Sequence, residues 1–291
     1  MDKITELFDA LEHLFSNTKD TQAKLIALKE TWSTPTELAL LLPQIARTYG
    51  LLSDFENGHK LVSEAEQLLH QIPDSNLKTI IIVRISLERG RLYRSSGKKA
   101  ESIPFFQDAW DKSLGVEGAD YFLVDAGHMM ALVMEREQRL NWYEKSIAAA
   151  EKSTDKKARG WLGALYNNSA WDEHDLGNYQ KALELFQKGL DFRISNNDSQ
   201  RTINIAKWSV ARAQRSLGRY QEALEIQEEL ANHPNDGYVF EELLELYSAL
   251  DQKEKVQTVA KKAYELLSKD DWFVKNEAAR FEKIKTLALG S

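Results

Sequence analysis

One stretch of the chain, residues 163–196, limits the possible folds more than any other. It continues a Pro-free run in which Leu162, Leu165, Tyr166, Ser169 and Ala170 recur at steps of three and four, the spacing of one helical face. Leu176-Gly177-Asn178 ends that run with residues suited to a tight turn or a positive φ. A second run follows at once, with Tyr179, Ala182, Leu183, Leu185, Phe186 and Leu190 at helical spacing. Helices joined by so short a connection pack antiparallel. Ala170 and Ala182 let the two backbones approach, and Phe186 fills the space beside them.

Related patterns recur before and after this hairpin. In combination, Ala170, Gly177, Tyr179, Ala182, Phe186 and Gly189 resemble the tetratricopeptide repeat, with its fixed residue types at positions 8, 15, 17, 20, 24 and 27. A first repeat near 39–72 carries Ala46, Tyr49, Phe55, Gly58 and Ala65, with Pro43 expected to kink or restart its first helix. The second, near 83–116, has Gly90, Tyr93, Gly97, Ser102, Phe106 and Ala109. The third, near 120–153, matches least: Gly127 and Ser146 fit, but Met134 stands at the turn and Arg139 at a small-residue position. After 163–196, a fifth near 204–236 restores the pattern with Ala211, Gly218, Tyr220 and Ala223. The sixth, near 237–269, has Tyr247, Val256, Ala260 and Ala263, with Asp251 in place of the turn glycine.

Residues 46, 90, 127, 170, 211 and 244 stand at position 8, so successive repeats lie 44, 37, 43, 41 and 33 residues apart. Most of these exceed the family's period of about 34, implying longer helices or connectors. In this the chain resembles the extended repeats of kinesin light chains and of bacterial peptide-sensing regulators. The resemblance implies an all-α fold, a right-handed superhelical solenoid of about six antiparallel helix pairs spanning 39–270. Residues 1–38 are expected to cap its start, with one stripe of Ile4, Leu7, Phe8, Leu11 and Phe15 and another of Leu25, Ile26, Leu28 and Trp32. At the other end, 271–291 are expected to form a cap in which Asp270 starts a helix and Trp272, Phe281 and Ile284 close the array.

Composition removes several functions. The formal charge of -7 argues against coating nucleic acid. With no cysteine there is no disulfide, thiolate metal site or thiol nucleophile. The N-terminus lacks the basic start and apolar core of a secretion signal and no apolar run reaches membrane-spanning length, so a cytoplasmic protein with no membrane partner is expected.

The resemblance implies that the first helix of each pair lines an inner, concave wall, and helical geometry agrees. Arg84, Leu87, Arg91 and Arg94 share one arc, opposite the Gly90 and Tyr93 face. Tyr121 and His128, then Asn167, Asn168, Trp171 and His174, continue the lining. Trp208, Arg212 and Arg215 repeat the basic arc, and Tyr238 precedes an acidic stretch with Glu241 and Glu245. Arginine forks, side-chain amides and aromatic platforms suit an acidic peptide or protein segment. The same residues admit a plainer reading, in which the charges are solvated and Trp171 and Trp208 pack between neighbouring repeats. The family's carboxylate clamp is satisfied only at Asn168; Val124, His128, Ile205 and Ser209 do not fit it.

No catalytic residue, metal or cofactor is expected. Gly90 and Gly97 before Lys98-Lys99 are too far apart for a phosphate loop. Glu56-Asn57-Gly58-His59 has no second Glu-x-x-His partner, and Asp172-Glu173-His174-Asp175 reads as solvated charge pointing several ways. The expected function is a noncatalytic adaptor holding a protein or peptide in the concave groove. A peptide-responsive regulatory sensor is the alternative, self-association through the terminal helices is open, and nucleic-acid binding and catalysis rank below both.

Overall fold

The computed structural model describes residues 11, 14–232 and 236–290, so Ile4, Leu7 and Phe8 of the first apolar stripe lie outside the described residues. Among the described residues the regular secondary structure is entirely helical. Contacts divide the chain into two compact units, residues 1–165 and 166–291.

In the first unit, α1 (Thr18–Lys29) precedes three antiparallel hairpins: α2 (Pro35–Leu51) with α3 (Phe55–Leu68), α4 (Asn76–Ser95) with α5 (Lys99–Ser113), and α6 (Asp120–Val133) with α7 (Arg136–Lys152). A short α8 (Lys156–Gly160) follows and packs on α6 and α7. The first helices are neighbours, α2 touching α4 and α4 touching α6. Thr34 and Glu37 form a reciprocal capping box at the start of α2, and Pro35 occupies its first turn, where a missing N–H is harmless. Contrary to the expected restart, α2 runs unbroken through the buried Pro43. The twenty residues of α4 begin well before the expected second repeat and account for part of the long first interval.

The core lies where the helices of each hairpin meet. Gly90 is needed for close approach, since a Cβ there would sit 2.5 Å from the Phe106 ring. Leu25 and Trp32 bury against Leu41 and Ile45, with Leu28 beside them, but Ile26 of the same expected stripe is exposed, as is Phe15. The turn between α6 and α7 explains why Met134 can replace glycine: its backbone is extended (φ -89°, ψ 158°), so no left-handed residue is required.

Helix α9 (Leu162–Asp175) contains the division between the units. The second unit continues with α10 (Tyr179–Ser195), α11 (Gln200–Ser216), α12 (Tyr220–Leu230), α13 (Gly237–Ala249) and α14 (Lys253–Leu267), then α15 (Asp271–Asn276) and α16 (Ala278–Leu289). Ala170, Ala182 and Phe186 share one buried cluster, as the small-small-large spacing requires. Gly177 takes a φ of 81° in the α9–α10 turn, and Asp251 adopts the same left-handed region at 55° between α13 and α14.

The C-terminal end differs from expectation. Asp270 caps α15, accepting from the Phe273 N–H at 3.0 Å, but the helix breaks at Glu277 before α16 begins. Trp272 is 60% exposed, and Phe273, fully buried against Ile284 with Phe281 alongside, does the closing instead. Both residues lie on α15, where adjacent positions point about 100° apart, so Phe273 rather than Trp272 meets the core. Among the described residues, no helix is long and apolar enough to cross a membrane.

Candidate functional site

In the first unit, α4 carries Arg84, Leu87, Arg91 and Arg94, while α6 carries Tyr121 and His128. Leu87 offers no binding surface. Flanked by α2 and α6, α4 buries it to 1% exposure, which corrects its place in the lining.

Arg91 is not an open fork. It donates to Glu88 on its own helix at 2.5 Å and to Asp125 on α6 at 2.6 Å. Burial opposes its charge, but Asp125 and Glu88 outweigh that and hold its pKa above the ordinary arginine value. Arg47 on α2 lies 3.9 Å from the same Glu88. Burial, followed by the charge of Arg91, lowers the Arg47 pKa. Arg84 donates to no acceptor among the described residues; its guanidinium lies 5.6 Å from the centre of the Phe122 ring, and burial pushes its pKa down to about 10. Arg94 is exposed and likewise forms no ion pair among the described residues. His128 rests on Trp161 with centroids 4.8 Å apart, and burial lowers its pKa. Tyr121 packs on Phe122 and Trp161, and burial raises its pKa.

In the second unit the predicted residues lie on α9, α11 and α13. Asn167 donates to Asn168 at 3.4 Å. Trp171 contacts His174, Phe186 and Trp208, at centroid distances of 5.4, 4.9 and 5.9 Å. The Trp208 indole donates to the Tyr238 carbonyl at 3.2 Å. Tyr238 in turn donates to Asp270 at 2.9 Å; burial and then that bond push its phenol up to about 12. The tryptophans are therefore joints between successive helices, as the packing alternative held. Arg212 and Arg215 both clasp Glu242, which is 0% exposed, with Arg215 Nε at 2.7 Å. His174 contacts Ser216 at 2.8 Å, and burial with the nearby Arg212 lowers its pKa.

Sequence reasoning missed the acidic partners. Arg47 faces Glu88, Arg91 binds Asp125 and Arg212 binds Glu242: each arginine stands at position 9 of one repeat, each acid at position 6 of the next. Reading positions 6 and 9 of neighbouring repeats together would have revealed the pattern. Glu241, in the acidic stretch after Tyr238, accepts two bonds from Arg280 on α16, at 2.7 and 2.6 Å. The run at 172–175 is also corrected, because Asp172 and Glu173 are buried rather than solvated. Glu173 pairs with Lys181 at 2.7 Å and accepts from Asn178 at 2.8 Å. Among the described residues, no group of three or more His, Asp and Glu side chains is placed to hold a metal.

The helix order and packing match solved structures. A Signal Transduction ATPase with Numerous Domains from Pyrococcus horikoshii, which has a tetratricopeptide-repeat sensor, superposes with a TM-score of 0.73 over 97% of this chain at 12% identity. The chain has the tetratricopeptide-repeat fold. It spans 44% of that archaeal protein. Similar tetratricopeptide-like architecture occurs in apo RapI, with a TM-score of 0.65, 14% identity and coverage of 99% of this chain and 85% of that one. The apo quorum sensor NprR from B. thuringiensis gives 0.56, 15%, 98% and 85% for the same quantities. No protein-family model matches the chain, and no curated protein sequence does.

Proposed function

We propose that the chain is a noncatalytic interaction scaffold that holds a peptide or protein segment against the first helices of its hairpins. One observation carries this reading: Arg84 and Arg94, about two turns before and one turn after the paired Arg91 on α4, have no ion-pair partner among the described residues. Unpaired arginine forks on a helix face supply both charge and directed donors for an incoming chain. Arg91 and Arg212 are unsuitable probes because their removal orphans buried acids.

The test is selection of peptides from a random display library on the immobilised full chain and on the Arg84→Glu/Arg94→Glu double variant, with helicity matched by circular dichroism. The scaffold reading expects specific peptides on the wild type and about a tenfold or greater loss on the variant. Recovery of no specific peptide, or equal recovery on both proteins, would overturn it.

A second reading, a peptide-responsive sensor, is supported by the description of NprR as a quorum sensor and of the archaeal protein's repeats as a sensor. A selected peptide that changes hydrogen exchange beyond the helices it touches would favour this reading. Protection confined to the contact site would leave the adaptor reading.

A further inference from the structure

In the second unit a cleft of about 1030 Å³ opens between the first turns of α11, the start of α13 and the end of α14, at the large end of the range for small-molecule sites. Its floor is apolar. Leu230 and Val239 are buried there, and Gly237 lets α13 begin hard against α14, since a Cβ at that position would sit 2.7 Å from the Leu267 side chain. On the wall Ile205 is 51% exposed and presents its apolar surface to the cleft. The charged groups of the lining are unequally engaged. Asp236 accepts from the Tyr238 N–H at 3.0 Å, and Asp270 accepts from the Phe273 N–H at 3.0 Å and the Tyr238 phenol at 2.9 Å, so both acids are committed to helix starts. Lys269 reaches Glu265 at 3.9 Å. Arg201 is exposed and forms no hydrogen bond or ion pair with any described residue.

We infer that this cleft binds a small organic acid, an apolar body joined to one carboxylate. Arg201 and Ile205 are four residues apart on α11 and so neighbour each other on one face, which sets a charged fork beside an apolar surface. The guanidinium fork matches a carboxylate in a bidentate way, and the floor and Ile205 take the apolar body. An anion is favoured over a cation because Asp236 and Asp270 already hold their partners while Arg201 has none. A single charge suits this lining better than a polyphosphate, since the same two acids stand against Arg201 and Lys269. The amides of the lining favour a small molecule over a peptide: Gln200 donates to Asn204 at 2.8 Å, which leaves few groups for an extended backbone to pair with. This site does not rest on the peptide-binding reading.

The experiment is calorimetric titration of the full chain with octanoate, held below its micelle concentration and with helicity followed by circular dichroism. Octanol and octyltrimethylammonium keep the apolar body without the negative charge, and acetate keeps the charge without the body. Octanoate should bind about tenfold or more tightly than any of the three, and added salt should weaken it. Arg201→Gln and Ile205→Asp should each weaken octanoate about tenfold or more, with a smaller loss for Arg201→Lys. Lys261→Gln, on α14 outside the cleft, should leave the affinity unchanged. Arg201 and Ile205 are both exposed, so their substitution leaves the core intact.

Absence of octanoate binding overturns the inference, as does equal binding of octanol, acetate or the ammonium analogue. So does an affinity indifferent to both Arg201→Gln and Ile205→Asp, or a loss in Lys261→Gln as large as theirs. A leucine-ended peptide with a free carboxylate that binds more tightly than octanoate and is lost in Arg201→Gln would make a chain end the occupant and overturn the small-molecule assignment. The Arg84→Glu/Arg94→Glu variant should bind octanoate as the wild type does, so this site and the peptide-binding reading stand or fall separately.

Discussion

Gln227 on α12 is 0% exposed, and neither atom of its amide has a hydrogen-bond partner among the described residues. Phe106 and Phe186 occupy the corresponding place in two other hairpins, both buried in apolar surroundings. A buried polar group without a partner costs about 1–3 kcal/mol in desolvation, and methionine has nearly the same length and volume without that cost. Gln227→Met is therefore expected to stabilise the second unit by about 1–3 kcal/mol, raising its thermal midpoint by about 2–4 °C per kcal/mol. Urea unfolding read by circular dichroism, with hydrogen exchange at α12 assigning the change to this unit, measures it. Gln227→Glu serves as the opposite control and should destabilise, since it adds an unpaired buried charge. If Gln227→Met leaves stability unchanged or lowers it with the urea slope intact, the amide is satisfied and the reasoning is wrong.

Glu242→Ala removes the shared acceptor of Arg212 and Arg215 and should cost about 3–5 kcal/mol in urea unfolding. Gly90→Ala drives a methyl group into the Phe106 ring at 2.5 Å, so a loss of about 1–3 kcal/mol is expected, read from the same curves. Stability should also fall as pH drops below about 6.5, the ordinary histidine value. Burial lowers the His128 pKa in the folded state, so the unfolded chain binds more protons there, and the stabilising effect of the neutral ring is lost on acidification. His128→Asn should flatten the pH dependence of the urea midpoint; an unchanged slope would remove His128 as its source.

The hairpins were legible because their determinants are local. Gly177 permits a turn, Ala170 and Ala182 permit contact, and Phe186 fills the gap, all within one short window. The arginine partners were not legible helix by helix, because Asp125 lies 34 residues from Arg91 and Glu242 lies 30 from Arg212. Counting cations along one helix records the arginines and omits the acids that the next hairpin brings up. The choice between Trp272 and Phe273 depended on which face of the short α15 meets the core, a matter of tertiary packing that no neighbouring residue announces. The tryptophans on the polar face left two readings open, and the bond from Trp208 to the Tyr238 carbonyl supports a packing role.

The pairing of Arg47 with Glu88, of Arg91 with Asp125 and of Arg212 with Glu242 applies one rule at three junctions. The second hairpin carries both halves of it, Glu88 and Arg91, so excising or duplicating that hairpin leaves an acid opposite every arginine. Placing the fourth hairpin, with Asn168 at the answering position, after one of these arginines would instead strand a charge even where every apolar contact was preserved. Generic cohesion comes from the oily surfaces, but which neighbours a hairpin tolerates is written in ionic complementarity.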